Sequence, residues 1–314
     1  MRRVAFVFLL ALVGAGAVAE AASPPPKRIA PGVRIEGVRV GSVNPYIAYR
    51  RVTTAYSRPL RFALGKERWA RTPSSLGAVA DFDGAVAQAL EARAGEAVSI
   101  GIRLDPKRIR GYVKSLDRRY RREPVDAQLT GLVALRPSIS TEQTGREVKR
   151  GWMTRAIVSR LNSTVRRPLP LRFRELEPTV KKAEFGPVIV IQRGANVLTL
   201  FNGESTVRTF GVATGSAQYP SPAGTWSIVT MQRDPWWRPP ASDWAKDAKP
   251  IPPGPGNPLG TRWMGLSAAA VGIHGTPDPA SIGYSASHGC IRMHVPEAEW
   301  LFEQVGIGTP VVIV

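Results

Sequence analysis

The chain has 314 residues, 43% of them hydrophobic, a single cysteine and a formal net charge of +19 at neutral pH. Its length and apolar content favour two ordinary globular domains over one, and a lone thiol excludes an intramolecular disulfide framework. So strong a positive balance calls for anionic surroundings: nucleic acid if the chain is cytosolic, or lipid head groups, wall phosphate polymers and peptide carboxylates if it is exported.

The first residues point to export. Met1-Arg2-Arg3 gives a positive start, and Val4 to Val18 is an apolar run shorter than the roughly 20 residues a membrane span needs. Ala17-Val18-Ala19 and Ala19-Glu20-Ala21 both offer the small-x-small pattern of a cleavage site. Residues 1–22 are therefore read as a signal peptide or N-terminal anchor, and 23–34, opening on Ser23-Pro24-Pro25-Pro26, as a stiff linker. No later segment is apolar enough to span a bilayer. The expected location is the cell wall or the periplasmic face of the membrane. There the charge meets anionic wall polymers or a lipid surface, not nucleic acid.

Residues 35–182 read as a mixed α+β domain. Val33 to Val40 alternates apolar and other residues like a half-exposed strand. Asp81 to Ala94 has helical spacing with Asp81 or Asp83 as a cap, and Trp152 to Leu161 reads as a second helix. The run Arg118 to Arg122 is the densest basic patch and reads as a solvated helix end. Arg58-Pro59-Leu60-Arg61-Phe62 is echoed by Leu169-Pro170-Leu171-Arg172-Phe173, each resembling a strand after a turn.

From 186 to 314 the texture becomes β. Val188 to Ile191 is a continuous apolar strand, and Val197 to Phe201 pairs with Thr206 to Phe210 across Asn202-Gly203. Gly224 to Val229 follows, Pro296 starts a helix that Gly306 ends, and the last residues form a strand. Between Arg233 and Gly260 lie eight prolines with Trp236, Trp237 and Trp244, too long for a plain connection and unable to be a regular helix. This segment reads as a semi-rigid flap over a binding groove, or else as a surface insertion packed by its own tryptophans.

The chemistry-bearing residues come next. Cys290 lies in Ser287-His288-Gly289-Cys290-Ile291-Arg292-Met293, with His274-Gly275 sixteen positions before the sulfur. A histidine placed to accept the thiol proton makes cysteine a nucleophile, and a neighbouring imidazolium is expected to favour the thiolate. Gly289 lets a substrate carbonyl approach, and the amides there can serve as an oxyanion hole. A zinc site from His274, His288, Cys290 and His294 fits poorly, because His288-x-Cys290 lacks the usual ligand gap. A buried, inert cysteine remains an alternative.

These residues resemble the signature of L,D-transpeptidase catalytic domains of the YkuD type: His274-Gly275-Thr276, Gly283, then Ser287 to Met293. Gly215, Pro222-Ala223-Gly224-Thr225-Trp226, and Asn257-Pro258-Leu259-Gly260 before Trp263 and Leu266 agree with it. The resemblance covers Pro187 to Val314 and implies a mainly β, sandwich or barrel-like fold. It makes Cys290 the nucleophile and His274 the base, with Gly275 leaving the orientation of His274 to a backbone carbonyl. His288 shapes the turn, and the Gly289 and Cys290 amides hold the oxyanion. Arg292 anchors a substrate carboxylate or else makes a structural salt bridge, with Tyr284, Ser287 and Trp263 as further substrate contacts. The implied reaction is acyl transfer between peptidoglycan stem peptides, with D-alanine released and a 3→3 cross-link formed. It needs no metal or organic cofactor, and carbapenem-type β-lactams would acylate the same sulfur. Hydrolysis by a cysteine carboxypeptidase or amidase, or a non-catalytic wall-binding role, are the rival readings. More loosely, residues 35–182 resemble VanW-like domains associated with peptidoglycan binding, on the Gly37-Val38 and Gly41 turn and the Trp69 strand.

Overall fold

The computed structural model describes residues 27–314. The expected signal peptide or anchor, and the start of the linker, lie outside the described residues. Among those described, no helix is long and apolar enough to cross a membrane. The chain forms two compact units, and the division is not a single cut in chain order. Residues up to 118 group with 149–172, and residues 119–148 group with 173–314.

In the first unit, helix α1 (Pro45–Tyr56) begins at Asn44, whose Oδ1 accepts the Ile47 amide at 2.9 Å. Helix α2 (Phe82–Glu91) is capped by Asp81, which accepts the Gly84 amide at 2.9 Å. The two helices bury Ala48, Val52, Ala85 and Ala89 with Val33, Ile35 and Val40. The strand expected across Val33 to Val40 is instead a tight hairpin, Arg34–Ile35 against Val38–Arg39. Glu36 and Gly37 both take positive φ, 44° and 77°, as the two central residues of a primed turn do. Helix α3 (Pro106–Tyr120), foreseen only as the solvated helix end at Arg118 to Arg122, buries Ile109, Val113 and Leu116. Helix α4 (Arg150–Leu161) buries Met153, Ile157 and Leu161. The two echoed segments lie side by side: Leu169–Pro170 pairs in parallel with Leu60–Leu64, Leu169 opposite Phe62. Trp69 stacks on Phe62 with ring centroids 5.6 Å apart, and its Nε1 donates to Tyr112 Oη at 2.8 Å.

The second unit is mainly β and barrel-like. Its eight strands are β1 (Pro187–Gln192), β2 (Val197–Asn202), β3 (Ser205–Gly211), β4 (Gly224–Arg233), β5 (Arg262–Leu266), β6 (Gly272–Thr276), β7 (Ile291–His294) and β8 (Pro310–Ile313). In space they run β3-β2-β1-β8-β4-β5-β6-β7. The β2–β3 turn is centred on Gly203-Glu204, one residue later than the expected Asn202-Gly203, with Gly203 at φ 58°. The unbroken apolar run of β1 is buried on both faces, which is why it does not alternate. Ile189 and Ile191 join the main core with Leu198, Phe210, Ile273, Ile291 and Val311. Val188 and Val190, with Phe201, pack on the other face against Leu129, Leu132 and Phe185. Leu129 and Leu132 belong to a hairpin, Leu129–Val133 with Arg136–Ile139, that covers this back face. Helix α5 (Val295–Gln304) closes the front core with Ala298, Leu301 and Phe302.

Candidate active site

Parallel pairing of β6 with β7 places the two chemistry-bearing stretches next to each other. Ile273 lies opposite Ile291 and His274 opposite Arg292, so Cys290 sits at the entrance of β7 beside the start of β6. His274, Cys290, Arg292 and Trp263 line one cavity of about 1590 Å³, together with Ser287, His288 and Gly289. A sulfur 16 residues distant in sequence thus faces the same space as the imidazole.

The imidazole is 4% exposed, and its Nδ1 lies 2.6 Å from the Gly275 carbonyl. A carbonyl only accepts, so Nδ1 carries the hydrogen and Nε2 keeps a free lone pair. Burial lowers the His274 pKa to about 4, and the Arg292 charge pushes the same way against the bond to Gly275. Burial raises the Cys290 thiol above its usual range, opposed by the Gly272 amide and by Arg292. The thiol also donates to the Ala270 carbonyl at 3.7 Å. At neutral pH both groups are therefore uncharged, and the thiolate–imidazolium pair expected from the sequence is not the resting state.

Two hydroxyls set the turn before the sulfur. Ser287 Oγ accepts the Gly289 amide at 3.1 Å and donates to the Cys290 carbonyl at 2.5 Å. Buried Ser221 donates to the Gly289 carbonyl and accepts the Gly215 amide, both at 2.9 Å. Gly289 sits at φ 107°, a conformation side chains resist. Its amide is occupied by Ser287, so of the two amides expected to hold an oxyanion this one is already engaged.

Around this centre the remaining expected residues divide. The His288 ring is exposed and stacks on Trp244 with centroids 4.0 Å apart and an 18° interplanar angle, and Tyr219 lies 4.9 Å away. Trp263 tilts toward His274 at 5.8 Å. A Cβ on Gly272 would fall 2.3 Å from its ring, so a side chain there would displace the indole. Arg292 has no carboxylate within ion-pairing distance among the described residues, and its backbone exchanges two 2.9 Å bonds with Ala213. Tyr284 is 67% exposed and outside the cavity wall, and His294 caps the start of α5 away from the cavity. Among the described residues, no three His, Cys, Asp or Glu side chains gather as metal ligands.

The proline-rich segment forms one wall of this cavity through Pro235, Trp236, Trp237 and Trp244. A bridge between Trp237 and Ile251 pinches it, and Asn257 holds its two ends together. Asn257 is 1% exposed; Nδ2 donates to the carbonyls of Pro235 (2.9 Å) and Pro252 (3.0 Å), and Oδ1 accepts the Leu259 amide (2.9 Å). The sequence singled out neither this clasp nor Ser221. Asn257 entered only as the start of Asn257-Pro258-Leu259-Gly260 in the family resemblance, with no role assigned to it.

Comparison with known proteins points to one family. The family described as the L,D-transpeptidase catalytic domain, YkuD, matches residues 186–313. "Putative L,D-transpeptidase YqjB" of Bacillus subtilis is 34% identical over 133 residues, covering 40% of this chain and 70% of that protein. "Putative L,D-transpeptidase YkuD" of the same organism is 35% identical over 125 residues, 40% of this chain and 64% of that one. Among solved structures, L,D-transpeptidase 3 from Mycobacterium tuberculosis with a faropenem-derived adduct matches 45% of this chain and 63% of its own. It does so at 18% identity and a TM-score of 0.35. The matched region is a mainly β catalytic domain of the acyltransferase type. The chain belongs to the L,D-transpeptidase family.

Proposed function

We propose that this protein is an exported peptidoglycan L,D-transpeptidase acting through Cys290. The observation that carries the reading is the shared cavity: His274 and Cys290 line one space, with Nδ1 of the imidazole fixed by Gly275. Nε2 takes the thiol proton as the sulfur attacks the carbonyl between the L-centre of meso-diaminopimelate and terminal D-alanine in a tetrapeptide stem. The oxyanion is held by the Cys290 amide, while Ser287 keeps the turn that aims it. The imidazolium returns the proton to the departing nitrogen, D-alanine leaves and a thioester remains. An amine of a second stem then attacks the thioester, passes a proton to His274 and releases the sulfur, closing a 3→3 cross-link.

The Arg292 guanidinium supports the step twice. Its charge stabilises the forming thiolate, and its planar fork suits a stem carboxylate. His288 and Trp244 form an aromatic wall, and Trp263 backs the imidazole. Exposed Tyr284 is left without a role in this reading. For residues 35–182 the proposal is attachment to the wall, on the loose VanW-like pattern at Gly37, Gly41 and Trp69. A β-lactam carbonyl would occupy the same place as the scissile one, so carbapenems are proposed as covalent inhibitors of Cys290.

Hydrolysis of the thioester is the second reading, favoured by the width of the cavity, which admits water as readily as an amine. Purified protein incubated with tetrapeptide stems settles the matter by product mass. Cross-linked dimer supports transfer, and tripeptide alone shows hydrolysis. With Cys290→Ala both products should vanish, and the mass gained from a carbapenem should vanish with them. An unchanged rate in that variant removes the sulfur from the mechanism.

A further inference from the structure

Helix α3 carries a second feature that the acyl-transfer chemistry does not use. Its inward face is apolar, with Ile109, Val113 and Leu116 buried. On the opposite side Lys107, Arg110, Lys114 and Arg118 recur every three or four residues, all exposed. At 1.5 Å rise per residue they form a row of about 16 Å, with steps of about 4.5 to 6 Å. Exposed Gly111 leaves open space within it.

No acidic residue interrupts this row. The helix has one carboxylate, Asp117, which is buried with Arg150 3.6 Å away. Asp105, just before the helix, accepts the amides of Lys107 and Arg108 and pairs with Arg108. None of the four row cations has an ion-pair partner among the described residues. Such spacing works against the helix: Arg110 with Lys114, and Lys114 with Arg118, are like-charge pairs at i,i+4. Lys107 in the first turn also faces the positive end of the helix dipole. An ordinary solvated surface is easily built with mixed charges, which would stabilise the same helix. The basic run seen in the sequence is not the unit, because Arg121 within it is tied to Glu123 and Glu147.

We propose that this face of α3 is a docking strip for a linear phosphodiester polymer of the cell envelope, a polyol phosphate carrying one charge per repeat. The choice of an envelope polymer rests on the export proposed above; the strip itself does not. A row one side chain wide matches a chain of charges better than the plane of a bilayer. It also lacks the large apolar residues with which surface helices enter lipid. No aromatic ring stands in the row to stack on bases, as single-stranded nucleic acid requires.

The test uses the full chain and poly(glycerol phosphate), with affinity measured between 50 and 200 mM salt. Four cation–phosphate contacts add about 3 to the log–log salt slope, so the wild type should lose about 50-fold more affinity over that range than K107Q/R110Q/K114Q/R118Q. The double variants K107Q/R110Q and K114Q/R118Q should each remove about half of the slope. They keep the test valid if the quadruple variant folds poorly. Cross-linking of soluble stems should be unchanged in all three. A control removing four scattered exposed cations, K66Q/R93Q/K246Q/K249Q, should leave the slope close to wild type. Equal loss in this control would show that net charge alone binds and would overturn the strip. Tighter binding, dependent on the four residues, to phosphatidylglycerol vesicles or to a DNA oligonucleotide at equal phosphate would overturn the choice of partner.

Discussion

In the proposed reaction an uncharged thiol beside an uncharged imidazole has to move its proton first, and both residues are tuned by the same burial. For His274 the lowered pKa, about 4 against an ordinary 6.5, has a definite sign. Between those values the unfolded chain binds a proton that the folded one refuses, so stability rises with pH there. The contribution is fully present above about 6.5 and is lost by about 4, a change of about 3 kcal/mol. Urea unfolding at pH 7 and pH 4.5 should therefore show a loss in the wild type that is much smaller in His274→Asn. Equal losses in both would place the acid sensitivity elsewhere. The base limb of kcat/KM should likewise fall near pH 4, not near 6.5, while His294→Ala, away from the cavity, should leave the profile unchanged. The chemistry-bearing residues were legible because their types are rare here and crowd into one stretch. Their protonation was not, since it follows from burial that spacing does not report.

At the scale of elements, the flap depends on one side chain. Asn257 satisfies the carbonyls of Pro235 and Pro252, which the surrounding prolines cannot bond, and it receives the Leu259 amide in return. Asn257→Ala would leave these buried groups unpaired at about 1–3 kcal/mol each before relaxation. The expected result is at least a tenfold lower kcat/KM on stems, with alkylation of Cys290 by iodoacetamide as fast as before or faster. A variant slowed equally in both assays would mean that the flap supports the sulfur directly and does not position substrate. Local patterns read the β2–β3 hairpin, α2 with a cap at Asp81 or Asp83, and α4, because each is decided by neighbours in sequence. The hairpin at Glu36-Gly37 was missed because apolar alternation runs straight through a turn when a non-glycine residue takes positive φ. The body of α3 was missed, though its basic end was read, because its cations mask a narrow apolar stripe.

For the whole molecule, the pairings that matter most join distant segments. Residue 186, where the family's domain begins, falls after the hairpin that covers Val188, Val190 and Phe201. A fragment beginning there would expose three side chains, each worth about 1.5–3 kcal/mol when buried. It should unfold at lower urea than the full chain and bind a hydrophobic dye. A fragment of equal stability that binds no dye would show the covering hairpin to be dispensable. Nothing in the order of the sequence announces that cover, since the hairpin and the strand it protects are separated by about fifty residues.

The place of β8 has one more implication. Contributed by residues 310–313, it lies at the middle of the eight-stranded sheet, bonded to β1 on one side and β4 on the other. Until those residues have emerged, the halves bearing β1 and β4 have no seam to join them, however long the earlier part has waited. Closure of the sheet that carries the Cys290 turn therefore waits on β8, however early its other strands form.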